Sequence, residues 1–595
     1  MFTPLITHDS DGTALAAPVN TARCNGAAYK TRTIDDLHIK DERLRAAIEG
    51  TGHLLFDGGM GTMLQAAGMK AGALPELLNF EEPQVITDIQ RQYVGAGCDV
   101  ITANTFGANA HKLDGAATVA DVFAAAVTCA REAGARYVAG DIGPIGALLR
   151  PLGTLSFDEA YDLFAEEVHA GVAAGVDLFI IETMTDLAEI KAAVLACREN
   201  SDLPVFATMT FEEDGRTFLG TSPEVAAITL DAIGADVLGI NCSQGPAELR
   251  GLAERMLTVT DKPVMVQANA GLPRVDDNGN TVFDVQAPEY AEAVAGMIED
   301  GVGVVGGCCG TTPTHMAALR ALIDNHTPSP RHRKPSMSVT SAQTVVDLPC
   351  DGHKIAVIGE RINPTGKSKF KAALRENNIE YILGEGMAQE DSGAHILDVN
   401  VGLPEINEPL MMERVVTRLQ SVIALPLQID TSNTEAMERG MRLYNGKPMI
   451  NSVSGKMESM EAVFPLVRKY GGVVVGLALD ENGIPATAEG RIQVAKKIYD
   501  TAEKYGIPHE DIVIDGLAMT ISSDSGSALV TLETLRRVRD ELHGHSILGV
   551  SNISFGLPQR EIVNSNFFTM ALQSGLSCAI INPNMDAMMR SYRAY

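Results

Sequence analysis

From His53 onward the chain alternates between two hydrophobic patterns. Short apolar runs end in small or polar residues, and each is followed by a stretch with apolar positions at helical spacing, as in DEAYDLFAEEVHAGVAAG. The run ends read FDGGMGT, ITANTF, VAGDIGP, FIIET, FATMTF, LGINCSQG, VMVQANAG and VVGGCCGT, so eight strands are predicted to end near Phe56, Ala103, Gly140, Ile181, Met209, Ile240, Ala268 and Val305. Strand–helix alternation repeated eight times over about 250 residues is the pattern of a (β/α)8 barrel. A doubly wound open sheet is the competing arrangement, and the count of eight favours the barrel.

The stretch from His326 to Gln343, HTPSPRHRKPSMSVTSAQ, breaks this rhythm. It is rich in Pro, Ser and basic residues and reads as an interdomain linker. The alternation then restarts with IAVIGERIN, HILDVNVG, LPLQIDTSN, PMINSVSG, VVVGLALD, IVIDGLA, ILGVSNISFG and CAIINP, again eight runs. The predicted fold is therefore α/β, with two (β/α)8 (TIM) barrels in tandem over 46–325 and 353–595, a linker over 326–352 and an N-terminal extension over 1–45. Only a short helical stretch follows Asn582, with no Gly or Pro to cap it, so the expectation is a truncated last helix or a chain that continues.

Composition narrows the function. Hydrophobic residues make up 45% and charged residues 21% of the 595, a globular profile. The formal charge of −29 repels a phosphate backbone, which argues against nucleic acid as a partner. No apolar run approaches the ~20 residues of a membrane span, and residues 1–40 match neither a signal nor a transit peptide. A cytoplasmic location is expected, where cysteines stay reduced and free to bind metal.

Nine cysteines are present. Cys24, Cys98, Cys129, Cys197, Cys350 and Cys578 stand alone and read as packing residues. Cys242 and the Cys308–Cys309 pair are different, because they follow the sixth and eighth strands, where a barrel of this kind carries its chemistry. Three sulfurs meeting there suit a zinc ion whose fourth position stays open to a thiol substrate, which the metal would hold as a nucleophilic thiolate. Chemistry alone leaves a redox pair as the alternative, although a disulfide between adjacent cysteines is strained.

The ordered motifs FDGGMGT, NTF, GINCSQGP, NAGLP and GGCCGTTPTH resemble the homocysteine methyltransferase domain, over about residues 50–325. Cobalamin-dependent methionine synthases and betaine–homocysteine methyltransferases share this domain. The resemblance implies that Cys242, Cys308 and Cys309 hold Zn2+ and take part in catalysis, and that Asp57 and Glu182 hold the amino group of homocysteine. Without it, Asp57 reads equally as a turn residue and Glu182 as a helix cap. His315 reads as structural, since three thiolates and a substrate complete the shell.

The second barrel sets Asp or Asn at strand end after strand end: Asp398, Asn400, Asp430, Asn451, Asp515 and Asn552. Any one of these serves commonly as a helix N-cap. A whole ring suits a polar heterocycle that needs several paired donors and acceptors. GERINPTG, LDVNVG, QIDTSN, INSVSG, IDGLA and GVSNISFG resemble the pterin-binding barrel of methionine synthases, the folate:corrinoid methyltransferases and, more distantly, dihydropteroate synthases, over about 353–590. That resemblance implies that Asp430, Asn451 and Asp515 bind the pterin ring of 5-methyltetrahydrofolate, with Asn552 catalytic beside the methyl-bearing N5. Glu360 and Arg560 are further candidates for the pocket. Phe555 looks more like the methionine synthases than the free-standing corrinoid enzymes, whereas IDGLA departs from the common IDPL and keeps the aspartate.

In methionine synthases the methyl group travels on cobalamin, bound through a DxHxxG motif. The D-x-H triplets here, Asp36–His38 and Asp351–His353, lack the required glycine. The expectation is that cobalamin (methylcobalamin) comes from another module or protein, and that large motions bring it to each barrel mouth. The predicted activity is transfer of the methyl group of 5-methyltetrahydrofolate to zinc-activated homocysteine. The nearest alternative is a corrinoid-protein-dependent methyltransferase of one-carbon or demethylation metabolism with another thiol acceptor, and a non-enzymatic one is folate binding or zinc storage.

Overall fold

The structure is a computed structural model and describes residues 33–70, 72–275, 281–324, 326, 333–350 and 354–595. The first barrel is built from β1 (Leu54–Leu55), β2 (Val100–Thr102), β3 (Tyr137–Ile142), β4 (Leu178–Met184), β5 (Val205–Met209), β6 (Val237–Asn241) and β7 (Val264–Ala268). A small hairpin, β8 (Arg274–Val275) and β9 (Thr281–Val282), precedes the last strand, β10 (Val302–Gly307). These eight main strands are parallel, β1 pairs with β10, and a bridge from Phe56 to Val100 joins β1 to β2.

Period-two alternation decides which side chains enter the barrel. Leu54, Phe56, Val100, Tyr137, Ala139, Leu178, Ile180, Phe206, Val237, Met265 and Val304 form one buried cluster inside it. The helix Glu42–Ile48 adds Leu44, Ala47 and Ile48 to that cluster. Its N-cap Asp41 accepts from the Arg43 and Leu44 amides and from the Tyr137 hydroxyl. Residues 33–45 thus differ from the expected extension: they lead into a plug at the N-terminal end of the barrel, because an apolar layer open to water needs a cover. Residues 1–32 lie outside the described part.

The predicted linker also carries structure. Residues Ser336–Thr340 (β11) and Val345–Pro349 (β12) form an antiparallel hairpin. Met337, Val339 and Leu348 join Ala356, Ile358, Ile396, Met449, Val473, Val513, Ile547 and Cys578 in one buried cluster. The alternation in SMSVT is thus a strand pattern, and the hairpin closes the base of the second barrel as the helix closes the first.

That barrel is a closed parallel ring of β13 (Ala356–Ile362), β14 (Ile396–Val399), β15 (Leu427–Asp430), β16 (Met449–Ser454), β17 (Val473–Leu477), β18 (Ile512–Asp515), β19 (His545–Gly549) and β20 (Cys578–Ile581). The expected pair of tandem barrels is therefore the observed fold. The barrels touch through helices. Lys191, buried on the helix Leu187–Asn200, donates to the carbonyls of Met441 (2.7 Å) and Tyr444 (2.8 Å). Arg442 pairs with Asp158 at 2.7 Å and lies over the rings of Phe157 and Tyr161. Among the described residues no helix is long and apolar enough to cross a membrane.

Candidate active sites

Above its apolar layer the first barrel turns polar. Continuing the inward phase of each strand brings Thr102, Asp141, Glu182, Thr208, Asn241 and Gln267 to the C-terminal end, where loops converge. Over this layer sit Cys242, Cys308 and Cys309, whose Sγ atoms all lie within 4.8 Å of one another. Two consecutive non-glycine residues in the left-handed region, Cys242 (φ 63°) and Ser243 (φ 67°), turn the chain there. Such backbone is costly and concentrates at functional sites. On the opposite side Gly59 is required, because a Cβ there would stand 2.7 Å from the Cys308 carbonyl oxygen.

The sulfurs share charge. Thiol hydrogen bonds from Cys308 and Cys309, reinforced by the Ser243 amide and Asn269, pull Cys242 down to about 3, while the Cys308 thiol is pushed up by Cys242 and Cys309. A cluster that already favours a thiolate, with its three sulfurs within 4.8 Å of one another, fits a zinc ion held by Zn–S bonds of ~2.3 Å.

Glu182 lies in the same mouth. Burial, the Cys242 charge and Asp57 raise it to about 8, and burial raises Asp57 to about 7. Asp57 accepts from the Thr102 amide at 2.9 Å and from its hydroxyl at 3.0 Å. Thr183, next to Glu182, has φ 61°, unusual for a β-branched residue. Its amide donates to Asn241 Oδ1 and its hydroxyl accepts from Asn241 Nδ2, both at 2.8 Å, which fixes the backbone that carries Glu182. Asn241, Thr183, Asn269 and Gln267 escaped the sequence reading. Continuing the inward alternation one step past the apolar layer would have found Asn241 and Gln267.

The remaining cysteines divide. Cys98, Cys129, Cys197 and Cys578 are buried, Cys350 is half-buried with Sγ 3.5 Å from His545 Nε2, and Cys24 lies outside the described residues. His315 forms a capping box with Thr312 and contacts the Val285 carbonyl at 3.1 Å, a structural role.

In the second barrel the same alternation, running on from Ile358, Ile396, Met449 and Val513, brings Glu360, Asp398, Asn400, Asn451 and Asp515 inward. Asp430 joins them: Asn400 Nδ2 donates to its Oδ2 at 3.0 Å, and it pairs in register with Asn451. Gln428, also unforeseen, donates to Asp398 at 2.6 Å. Burial raises Asp430 and Asp515 to about 6 each, against bonds from Asn400 and from the Leu517 amide. For Asp515 the burial outweighs both that amide and the nearby charge of Arg491. Asn552 stands exposed at the rim in the short helix Val550–Ser554, where Ser551 donates to Glu360 Oε1 at 3.3 Å. Arg560 stands at the rim, where its charge acts on Glu360. Its guanidinium donates to Ser554 Oγ and the Ser551 carbonyl and lies 4.7 Å from the centre of the Phe555 ring, so it braces the rim loop.

Residues 54–323 match the family model for homocysteine S-methyltransferase, and residues 359–582 match that for pterin binding enzymes. A methionine synthase of Mycobacterium tuberculosis (strain ATCC 25618 / H37Rv) is 33% identical over 586 residues, covering 92% of this chain and 49% of that protein. A methionine synthase of Mycobacterium leprae (strain TN) is 33% identical over 570 residues, covering 89% of this chain and 47% of that protein. The chain thus spans about half the length of the curated relatives it matches. Among solved structures, an oxidised homocysteine methyltransferase from Escherichia coli shares 23% identity, with a TM-score of 0.41, over 47% of this chain and 99% of that one.

Proposed function

We propose that this chain, which carries the homocysteine S-methyltransferase and pterin-binding modules of the methionine synthases, moves the methyl group of 5-methyltetrahydrofolate to homocysteine by way of a corrinoid carrier. The observation that carries this reading is the pairing, in one chain, of a three-sulfur cluster at one barrel mouth with an Asp/Asn ring at the other. Cobalamin is a substrate at both mouths, borne by another module or protein, and the reaction belongs in the reducing cytoplasm, where the three thiols stay free.

Cys242, Cys308 and Cys309 would hold Zn2+, which supplies a Lewis-acidic position that keeps a thiol deprotonated near neutral pH. Glu182 and Asp57 face the substrate ammonium. Asn241, through Thr183, keeps Glu182 in place. In the second barrel Asp430, Asn451 and Asp515, with Asp398, Asn400 and Glu360, offer acceptors and donors to the pterin edge. Asn552 at the rim would hydrogen-bond N5, a poor leaving group unless protonated, and a bond that strengthens as the methyl group departs lowers the barrier.

Metal analysis with both half-reactions tests this. We expect one zinc per chain, largely lost in Cys308→Ser together with transfer from methylcobalamin to homocysteine, while transfer from methyltetrahydrofolate to free cob(I)alamin persists. Zinc retained in the variant would move the metal site elsewhere, and turnover of another thiol but not homocysteine would overturn the acceptor.

A further inference from the structure

The acidic residues of the first barrel mouth include one with no role so far. Asp141 sits on β3 in the inward phase of Tyr137 and Ala139, and Glu182 sits on the adjacent β4 in the inward phase of Leu178 and Ile180. The strands pair with Asp141 opposite Ile180, which sets Glu182 two residues further along β4, and Glu182 is the charge that acts most strongly on Asp141. Thr105 Oγ1 pins the main chain of Asp141, accepting from its amide at 3.0 Å and donating to its carbonyl at 2.8 Å.

The Asp141 side chain is 6% exposed, and its Oδ1 is buried without a hydrogen-bond partner. Among the described residues no lysine, arginine or histidine forms an ion pair with Asp57, Asp141 or Glu182. Burying an unmatched carboxyl group is costly, and at a barrel mouth a donor from a bound ligand can offset that cost. Burial, with Glu182 and Asp57 close by, pushes Asp141 well above the usual carboxylate range, the response of an acid that lacks a cation. Asp57 is already engaged, with both oxygens accepting from Thr102. Among the acids of this layer Asp141 thus holds a buried oxygen with no partner in the fold, alongside the amide oxygens of Gln267 and Asn269, and an ammonium group brings three donors and the missing positive charge.

We propose that Asp141 binds the substrate ammonium group together with Glu182, making the first barrel specific for thiols that carry an α-amino group. This rests on the reading that the cysteine cluster takes an amino-acid thiol. No bond to Asp141 forms or breaks in the transfer, so it is a positioning residue.

The experiment compares homocysteine with 4-mercaptobutanoate, the same thiol without the amine, in the wild-type protein, Asp141→Asn and the smaller Asp141→Ser. Zinc content and methyltetrahydrofolate turnover at the second barrel report that each variant is folded. In both variants KM for homocysteine should rise about 10- to 100-fold, the scale of a hydrogen bond to a charged group. The kcat for homocysteine and the turnover of 4-mercaptobutanoate should stay near wild type. Equal losses on both thiols, or an unchanged KM for homocysteine, would overturn the assignment of Asp141. A wild-type protein that does not turn over homocysteine would instead overturn the acceptor reading.

Discussion

At the scale of single residues, the second site makes its electrostatics measurable. Asp430 and Asp515 titrate near 6 because burial disfavours their charged forms. Between about pH 4 and 6 the folded protein holds protons that the unfolded chain has released, so the contribution of these groups to stability falls as pH rises through that window. Ligand binding runs the other way, since only the ionised carboxyl groups accept fully from a pterin edge. The affinity for 5-methyltetrahydrofolate should therefore drop as pH falls below about 6, with a slope in log Kd between one and two protons. Asp515→Asn should remove one proton from that slope, which calorimetry across about pH 5 to 8 would check. The acids and amides of this ring were legible in the sequence because each ends a strand. Gln428 was not, because its role lies in a partner, Asp398, on the neighbouring strand. Arg560 is a further candidate for the pocket, and only the fold shows that its guanidinium also donates to Ser554 and Ser551.

At the scale of elements, each barrel depends on a short segment that precedes it in the chain. The hairpin β11–β12 buries Met337 and Val339 against the base of the second barrel, and the helix Glu42–Ile48 does the same for the first. Met337→Ala should cost about 2–5 kcal/mol of the stability of the second barrel, the usual range for emptying a core methionine site. Urea unfolding followed by the loss of methyltetrahydrofolate binding would read this, with KM for homocysteine unchanged. Both segments were missed as structure for one reason. A plug needs only a few apolar residues, and three or four such positions do not stand out from a linker until the open end of a barrel is placed beside them.

At the scale of the whole molecule, the barrels are joined by charged groups taken out of water. Lys191 is buried, and burial together with the Arg442 charge lowers it to about 7. Its folded value lies below the unfolded one, so stability from this group grows as pH rises from about 7 towards 10.5. Lys191→Met would leave the Met441 and Tyr444 carbonyls without these donors, at about 1–3 kcal/mol. We expect a lower Tm, loss of that pH dependence and faster proteolysis between the barrels, with the KM of each half-reaction retained. Scanning calorimetry at about pH 7 and 9 would check it.

The sequence by itself determined the sixteen main strands, the polar character of their ends and the three cysteines, because alternation, strand length and residue chemistry are local properties of the chain. The tertiary structure decided which polar groups keep an oxygen without a partner and which already accept from a neighbour, as with Asp141 against Asp57, and what closes each barrel. It also decided how the barrels join. Those outcomes depend on partners such as Lys191 and Tyr444, 253 positions apart, that only folding brings together.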